Sequence, residues 1–328
     1  MSEAQPAVTF AEISEVVQRF PAPDLEAGTA VRERDRRLAK PRGSLGQLEE
    51  IAYWMACWQG KAPPDCRHPR VAVFAGSHGV AVNRPELCEG SLSTAQMVAN
   101  SQQGGAAVNQ ICQIADSDLR VYELDLDHPS GDITAGPAMT EAACAQAIAY
   151  GMMGVDQGLH LLCLGEMGAG NAISAAAICC ALFGGDPSDW IDPARGRGEA
   201  VSQALLANMD GLTDPLNVLR CLGGLELSAI VGAIIAARLA RTPVLLDGFA
   251  CTAAASVLRA IDPKALDHCL VAHVSSGPGH AKLLDRIGRH GVLDLGISLG
   301  QGVGAALAID VVRAAVDCHA DMATTQTP

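Results

Sequence analysis

The sequence predicts an α/β fold with a mostly parallel sheet flanked by helices, on three observations. From Arg70 onward, short apolar runs alternate with longer runs of helical spacing. Hydrophobic residues make up 49% of the chain and aromatics only 3%, with 34 glycines. That composition suits small-residue helices packed on a buried parallel sheet. Polar, glycine-bearing loops also follow most of the apolar runs, as the turns of βα units do.

Taken in order, residues 1–65 read as helical. VRERDRRLAK (31–40) is a charged, solvated helix face, PRGSLG is a turn, and LGQLEEIAYWMACW (45–58) has helical apolar spacing. Strands are expected at VAVFAG (71–76), LRVYELDL (119–126), LHLLCLGEM (159–167), TPVLLDG (242–248), LDHCLVAHVS (266–275) and GVLDLGI (291–297). Helical runs separate or follow them: STAQMVANSQQGGAAVNQICQIA, EAACAQAIAYGMMG, NAISAAAICCALFGG, LELSAIVGAIIAARLA, CTAAASVLRAI and GAALAIDVVRAAVDCH. DPSDWIDPARGRGE (186–199) is the clearest loop.

A net charge of −13 with no basic patch argues against nucleic acid or an anionic membrane as the main partner. Small phosphorylated substrates stay open, because backbone amides at helix N-termini bind them without many cations. The 12 cysteines are scattered with no CxxC pair, which fits thiols in a reducing cytosol better than a disulfide framework or zinc site. MSEAQPAVTF lacks the basic and apolar regions of a signal peptide, and no apolar run reaches membrane-spanning length. A cytoplasmic enzyme acting on small molecules is the expectation.

In parallel α/β sheets the ligand sits outside the carboxyl ends of the strands. Those ends carry AGSHG (75–79), LGEMGAGN (164–171), LLDGF (245–249), AHVSSGPGH (272–280) and SLGQGVG (298–304). Packing alone does not call for five such loops at equivalent positions. His78 and His273 divide evenly between structural and chemical roles, and Asp247 and Asp294 read as loop-fixing residues.

These loops belong to a longer ordered set of motifs. KPRGSLGQLEEIA (40–52), FAGSHGVA (74–81), AQMVANSQQGGAAVNQI (95–111), GDITAGPAM (131–139), LGEMGAGN, LGGLELSAIVGAIIAAR (222–238), PVLLDGF, LDHCLVAHVSSGPGH and LGQGVGAALA (299–308) span nearly the whole chain. Together they resemble the nicotinate-nucleotide–dimethylbenzimidazole phosphoribosyltransferases of cobalamin lower-loop assembly. The resemblance implies transfer of phosphoribose from nicotinate mononucleotide to a benzimidazole-type base. It implies a Rossmann-like domain over 66–310 and a small helical domain made by 1–65 with 311–328. It also implies a homodimer, and chemistry that requires no metal or cofactor.

Such a site needs a phosphate cradle, contacts to the ribose, and a base for the azole N–H. Glycine turns at Gly168–Gly170, Gly277–Gly279 and Gly302–Gly304 are candidates for the cradle. The resemblance further assigns substrate binding to Ser77, His78, Gln96, Asn171, Ser275 and Leu299. Glu166, at a strand end, is a candidate to face the ribose.

The resemblance also implies a turn reading LGEGTGAALA, whose glutamate is the general base; here Gln301 stands in its place. An amide hydrogen-bonds but cannot carry away a proton. Further departures are Ser77 for Asp or Asn, Ala172-Ile173 for two threonines, and Ser276-Gly277-Pro278-Gly279 without its carboxylate. NRPELCEG also follows Val82, and a shortened loop after Trp190 has Arg195 or Arg197 in place of a lysine. Two main readings result. One is an active transferase with altered base preference or Glu166 as substitute base. The other is an impaired paralogue that binds nucleotide or base, or pairs with an active homologue. A third keeps only the scaffold, with Cys88, Glu86 or His78 in a different chemistry.

Overall fold

Each expected apolar run forms a strand in the computed structural model, which describes residues 9–88 and 90–325. The strands are β1 (Pro69–Gly76), β2 (Asp118–Leu124), β3 (Leu161–Met167), β4 (Val244–Leu246), β5 (Cys269–His273) and β6 (Gly291–Leu293). All pairings are parallel, in the order β2-β1-β3-β4-β5-β6. The order reverses between β1 and β3, the switch point beside which such sheets bind ligands. The expected runs overshoot: β4 keeps three residues, because Asp247 is already the N-cap of the helix that opens at Gly248.

The helices are α1 (Phe10–Gln18), α2 (Leu25–Asp35), α3 (Gln47–Gln59), α4 (Gly79–Asn83), α5 (Thr94–Gln102), α6 (Ala107–Ile114), α7 (Glu141–Met153), α8 (Asn171–Phe183), α9 (Arg197–Ala207), α10 (Pro215–Leu222), α11 (Leu225–Leu239), α12 (Gly248–Ile261), α13 (Pro278–Ile287) and α14 (Val303–Asp321). The run read as one helix over 93–115 is two, broken where Gly104 takes a φ of +77°. The charged run at 31–40 stops being helical at Asp35.

Strand residues alternate between two apolar layers. Val71, Val73, Ala75, Cys163 and Leu245 face α3, α5, α6 and α14, whereas Ala72, Phe74, Leu162, Leu164 and Leu246 face the layer of α7, α8 and α10–α12. Within that layer α7 and α11 meet backbone to backbone. A Cβ on Gly151 would lie 1.8 Å from the Ala229 carbonyl oxygen, and one on Gly232 equally close to that of Ile148.

The terminal segments are stitched together. Arg34 donates to the carbonyls of His319 (2.7 Å) and Ala320 (2.5 Å), and Thr325 N–H donates to Arg37 O at 2.7 Å. The boundary expected at 310/311 runs through the interior of α14, and α1 shares an apolar core with α12. All 12 cysteines are free, ten of them buried. Among the described residues no helix is long and apolar enough to cross a membrane. Residues 1–8, on which the expectation of no leader partly rests, lie outside the described ones.

Candidate active site

Glu166 is the penultimate residue of β3, at the strand's carboxyl end. Beyond Met167 the chain turns through Gly168, Ala169 and Gly170, the last with φ +93°, into α8. Asn171 opens α8 and its amide donates a hydrogen bond to Glu166 Oε2. Burial holds the Glu166 carboxyl well above the ordinary carboxylate range, and the nearby carboxylates Glu226 and Asp247 add to the rise; the Asn171 bond opposes it.

The turn that carries Gln301 lies against this strand. Gly300, Gln301 and Gly302 take φ values of +71°, +63° and +80°, and for a residue with a Cβ this region costs about 1–2 kcal/mol. Three bonds hold the turn against that cost. Gln301 N–H donates to Glu166 O at 3.1 Å. Asp247 accepts from Gly302 N–H at 2.8 Å and Ala305 N–H at 2.9 Å. The Gln301 side chain is only 9% exposed, and its Nε2 lies 3.3 Å from Met97 Sδ.

Asp247 is a loop-fixing residue, as read from the sequence. It caps α14 and lies 3.2 Å from His273 Nε2. Burial opposes charge on His273, but Asp247 outweighs it and raises the imidazole pKa. Within the Gly302–Gly304 turn, Gly302 thus gives its amide to Asp247 rather than leaving it for a phosphate. Gly304 is pressed on His273, where a Cβ would lie 2.0 Å from Cδ2.

By contrast, α8 and α13 begin at Gly170 and Gly277 with no side-chain cap. His280 fixes the loop before α13: its Nδ1 accepts from Ser275 N–H at 2.9 Å, and Nε2 is 3.2 Å from Thr252 Oγ1. Burial pushes its pKa down to about 4, so the ring is neutral and committed to structure.

These parts enclose a cavity of about 860 Å³ at the carboxyl ends of the strands. Glu166, Gly168, Gly170, Asn171, Ser275, Gly277, Gly279, Leu299 and Gln301 all line it. Ser77 and His78 do not. Ser77 Oγ donates to Leu126 O at 3.0 Å, and His78 is buried against Glu226. Both line a smaller hollow of about 430 Å³, which shares Cys88, Ser91 and Leu92 with the lining of the cavity. Gln96 is exposed and closes the cap of α5, accepting from Ser93 N–H at 2.9 Å. Asp294 is exposed.

Sequence reasoning missed Glu226, Met97, Trp190, Phe249 and His280. Of these, Glu226 had a visible signal, as the acidic residue inside LGGLELSAI. Arg197 lines the cavity, in keeping with its expected role. Of Cys88, Glu86 and His78, only Cys88 and His78 share the smaller hollow: Glu86 is exposed beside Arg84, and burial raises the Cys88 pKa.

A family model described as phosphoribosyltransferase matches residues 20–327. Proteins of Brucella canis and Brucella melitensis biotype 2, both named nicotinate-nucleotide–dimethylbenzimidazole phosphoribosyltransferase, are 52% and 51% identical over 323 residues. The matches cover 96% of this chain and 95% of each relative. A solved structure of the Thermus thermophilus protein of that name superposes with a TM-score of 0.83 at 34% identity, covering 92% of this chain and 97% of the other. A second from the same organism, named CobT, gives 0.80 at 34% identity, with 91% and 97% covered.

Proposed function

The chain belongs to the nicotinate-nucleotide–dimethylbenzimidazole phosphoribosyltransferase family, and on that premise we propose that it moves phosphoribose from nicotinate mononucleotide to 5,6-dimethylbenzimidazole or a related azole. The products are α-ribazole phosphate and nicotinate, in cobalamin lower-loop assembly. The observation that carries the reading is the junction of Glu166 with the Gln301 turn, in a cavity entered by two uncapped helix N-termini.

In the reaction the C1′–N bond of the nucleotide breaks and its electron pair leaves with the pyridine ring. That nitrogen was cationic, so it departs neutral and no acid is needed. An azole nitrogen forms the new bond to C1′, and the proton on the other azole nitrogen must be taken up. Glu166 suits this task. Asp247 is committed to two backbone N–H groups, while Glu166 keeps only the Asn171 amide and reaches the cavity. Its raised proton affinity makes the ionised form a stronger base. Gln301, with Nε2 toward Met97, lines the cavity and can orient the ring by hydrogen bonding. Leu87, Leu92, Met97 and Leu299 supply apolar walls for the base. The N-termini of α8 and α13, with Arg197, suit the phosphate.

The similarities give no support to the impaired reading, which is not retained. The twelve free thiols agree with a cytoplasmic enzyme, and a homodimer is the assembly that the family resemblance implies. Incubating the purified protein with nicotinate mononucleotide and a panel of benzimidazoles tests the proposal. Nicotinate release with formation of the α-riboside phosphate is expected; no release across the panel overturns it.

A further inference from the structure

Glu226 lies in the first turn of α11 and is 0% exposed. A solvated glutamate there would merely complement the helix dipole; a buried one is costly to desolvate unless it is paired. One partner answers that cost. His78, in AGSHG on the other side of the β1–β3 switch, places Nε2 2.5 Å from Glu226 Oε1. The second oxygen, Oε2, has no hydrogen-bond partner among the described residues.

The backbone makes room for this carboxyl. A Cβ on Gly76 would lie 2.6 Å from Oε2 and one on Gly224 2.7 Å, while on Gly168 it would lie 3.0 Å from Oε1. That same Cβ would lie 3.1 Å from Asn171 Nδ2, the group that donates to Glu166. Gly168 is therefore held between Glu226 and the amide that orients Glu166.

The far side of His78 faces a hydroxyl. Ser174 Oγ is 3.2 Å from His78 Nδ1 and 3.3 Å from the Gly223 carbonyl. A hydroxyl has one proton. Directed at Nδ1, it leaves His78 neutral; directed at Gly223 O, it lets Ser174 accept from a protonated Nδ1.

We infer that the buried His78–Glu226 pair is a positioning element for Glu166, fixing the Gly168 turn against Asn171 and presenting a charge set by the pair's own proton. The inference rests on the reading of Glu166 as proton acceptor. The charged and titratable groups facing Glu166 are Glu226 from α11, Asp247 from the end of β4 with His273 behind it, and the Cys251 thiol of α12. Neither Asn171 nor Gln301 titrates. Glu226 is the like charge whose removal leaves these others in place.

The test is a titration of the Glu166 carboxyl by its protonated carbonyl infrared band, assigned by its loss in Glu166→Gln. This readout needs no activity. In Glu226→Gln the midpoint moves to lower pH by about one unit, a tenfold change in ionisation. The acid limb of kcat/KM follows it, with KM for the nucleotide kept within about twofold. A purely structural Glu226 would lower stability or kcat and leave the midpoint in place, which overturns the inference. If Glu226→Gln does not fold, His78→Gln keeps a donor toward Glu226 but holds no proton. Its Glu166 midpoint moves to higher pH, and an unmoved one overturns the inference equally. Wild-type protein that releases no nicotinate defeats the proposed function instead, whatever the midpoint does.

Discussion

The backbone N–H of Gln301 donates to the carbonyl oxygen of Glu166 across 3.1 Å, joining the end of β3 to the turn before α14. The bond places the two residues side by side; in the proposed reaction the carboxyl takes the proton and the amide orients the azole. Either can be replaced while the other keeps its place.

Glu166→Gln is expected to lower kcat by about 10²–10⁴, the usual cost of losing a general base. Adding Gln301→Glu in that background should return at least about tenfold, because the turn would bring a second carboxyl to the same cavity. Steady-state nicotinate release measures both. A double variant no faster than the single one contradicts this division of roles.

The same carboxyl burdens the fold in a pH-dependent way. Its pKa in the folded protein lies well above the ordinary 4.5, chiefly through burial, so the native state holds the proton more tightly than the unfolded chain. Its contribution to stability is full below the ordinary value and is lost as pH rises through the folded one. Glu166→Gln should raise the melting temperature at neutral pH and change it little near about pH 4. Calorimetric scans across that range provide the check.

Asp247→Ala would leave Gly302 N–H, Ala305 N–H and His273 facing a void. A loss of about 3–5 kcal/mol is expected in urea unfolding, the cost of removing one partner from a buried charged pair. Asp247→Asn, which keeps an acceptor, should lose less.

Gly165→Ala tests how tightly strand and turn are matched. The added methyl would meet Gly302 N at 2.3 Å, backbone that cannot swing aside. Stability should fall by about 1–3 kcal/mol, and kcat by at least about tenfold as the Gln301 turn is pushed off Glu166. A folded variant with unchanged kcat would show that their junction is dispensable.

Arg197→Ala should raise KM for nicotinate mononucleotide by about tenfold with a smaller effect on kcat, as expected for a cation that binds phosphate alike in ground and transition states. Arg197→Lys should restore part of the affinity, a comparison that separates charge from packing.

The strands were legible because each is an apolar run closed by glycine or a polar residue, and the site's position followed from their carboxyl ends. What sequence could not supply was the pairing of distant groups. Glu226 reads as an ordinary first-turn acid until His78, 148 residues away, is brought against it. Asp247 is separated from the amides it caps by 55 and 58 residues, so the Gly302–Gly304 turn read as vacant. Gln96 reads as a binding residue in a matched motif, yet it is spent on capping its own helix. The break at Gly104 escaped notice because helical spacing resumes on its far side.

Helix α14 starts at the Gln301 turn and runs 19 residues, about 28 Å, to the carbonyls gripped by Arg34. A rod fixed at both ends transmits displacement along its axis. The residues just beyond it, tied to Arg37 and Ala39 by Thr325 and Ala323, are its mooring. One rigid element thus spans the distance between the Gln301 turn and the stitched terminal segments.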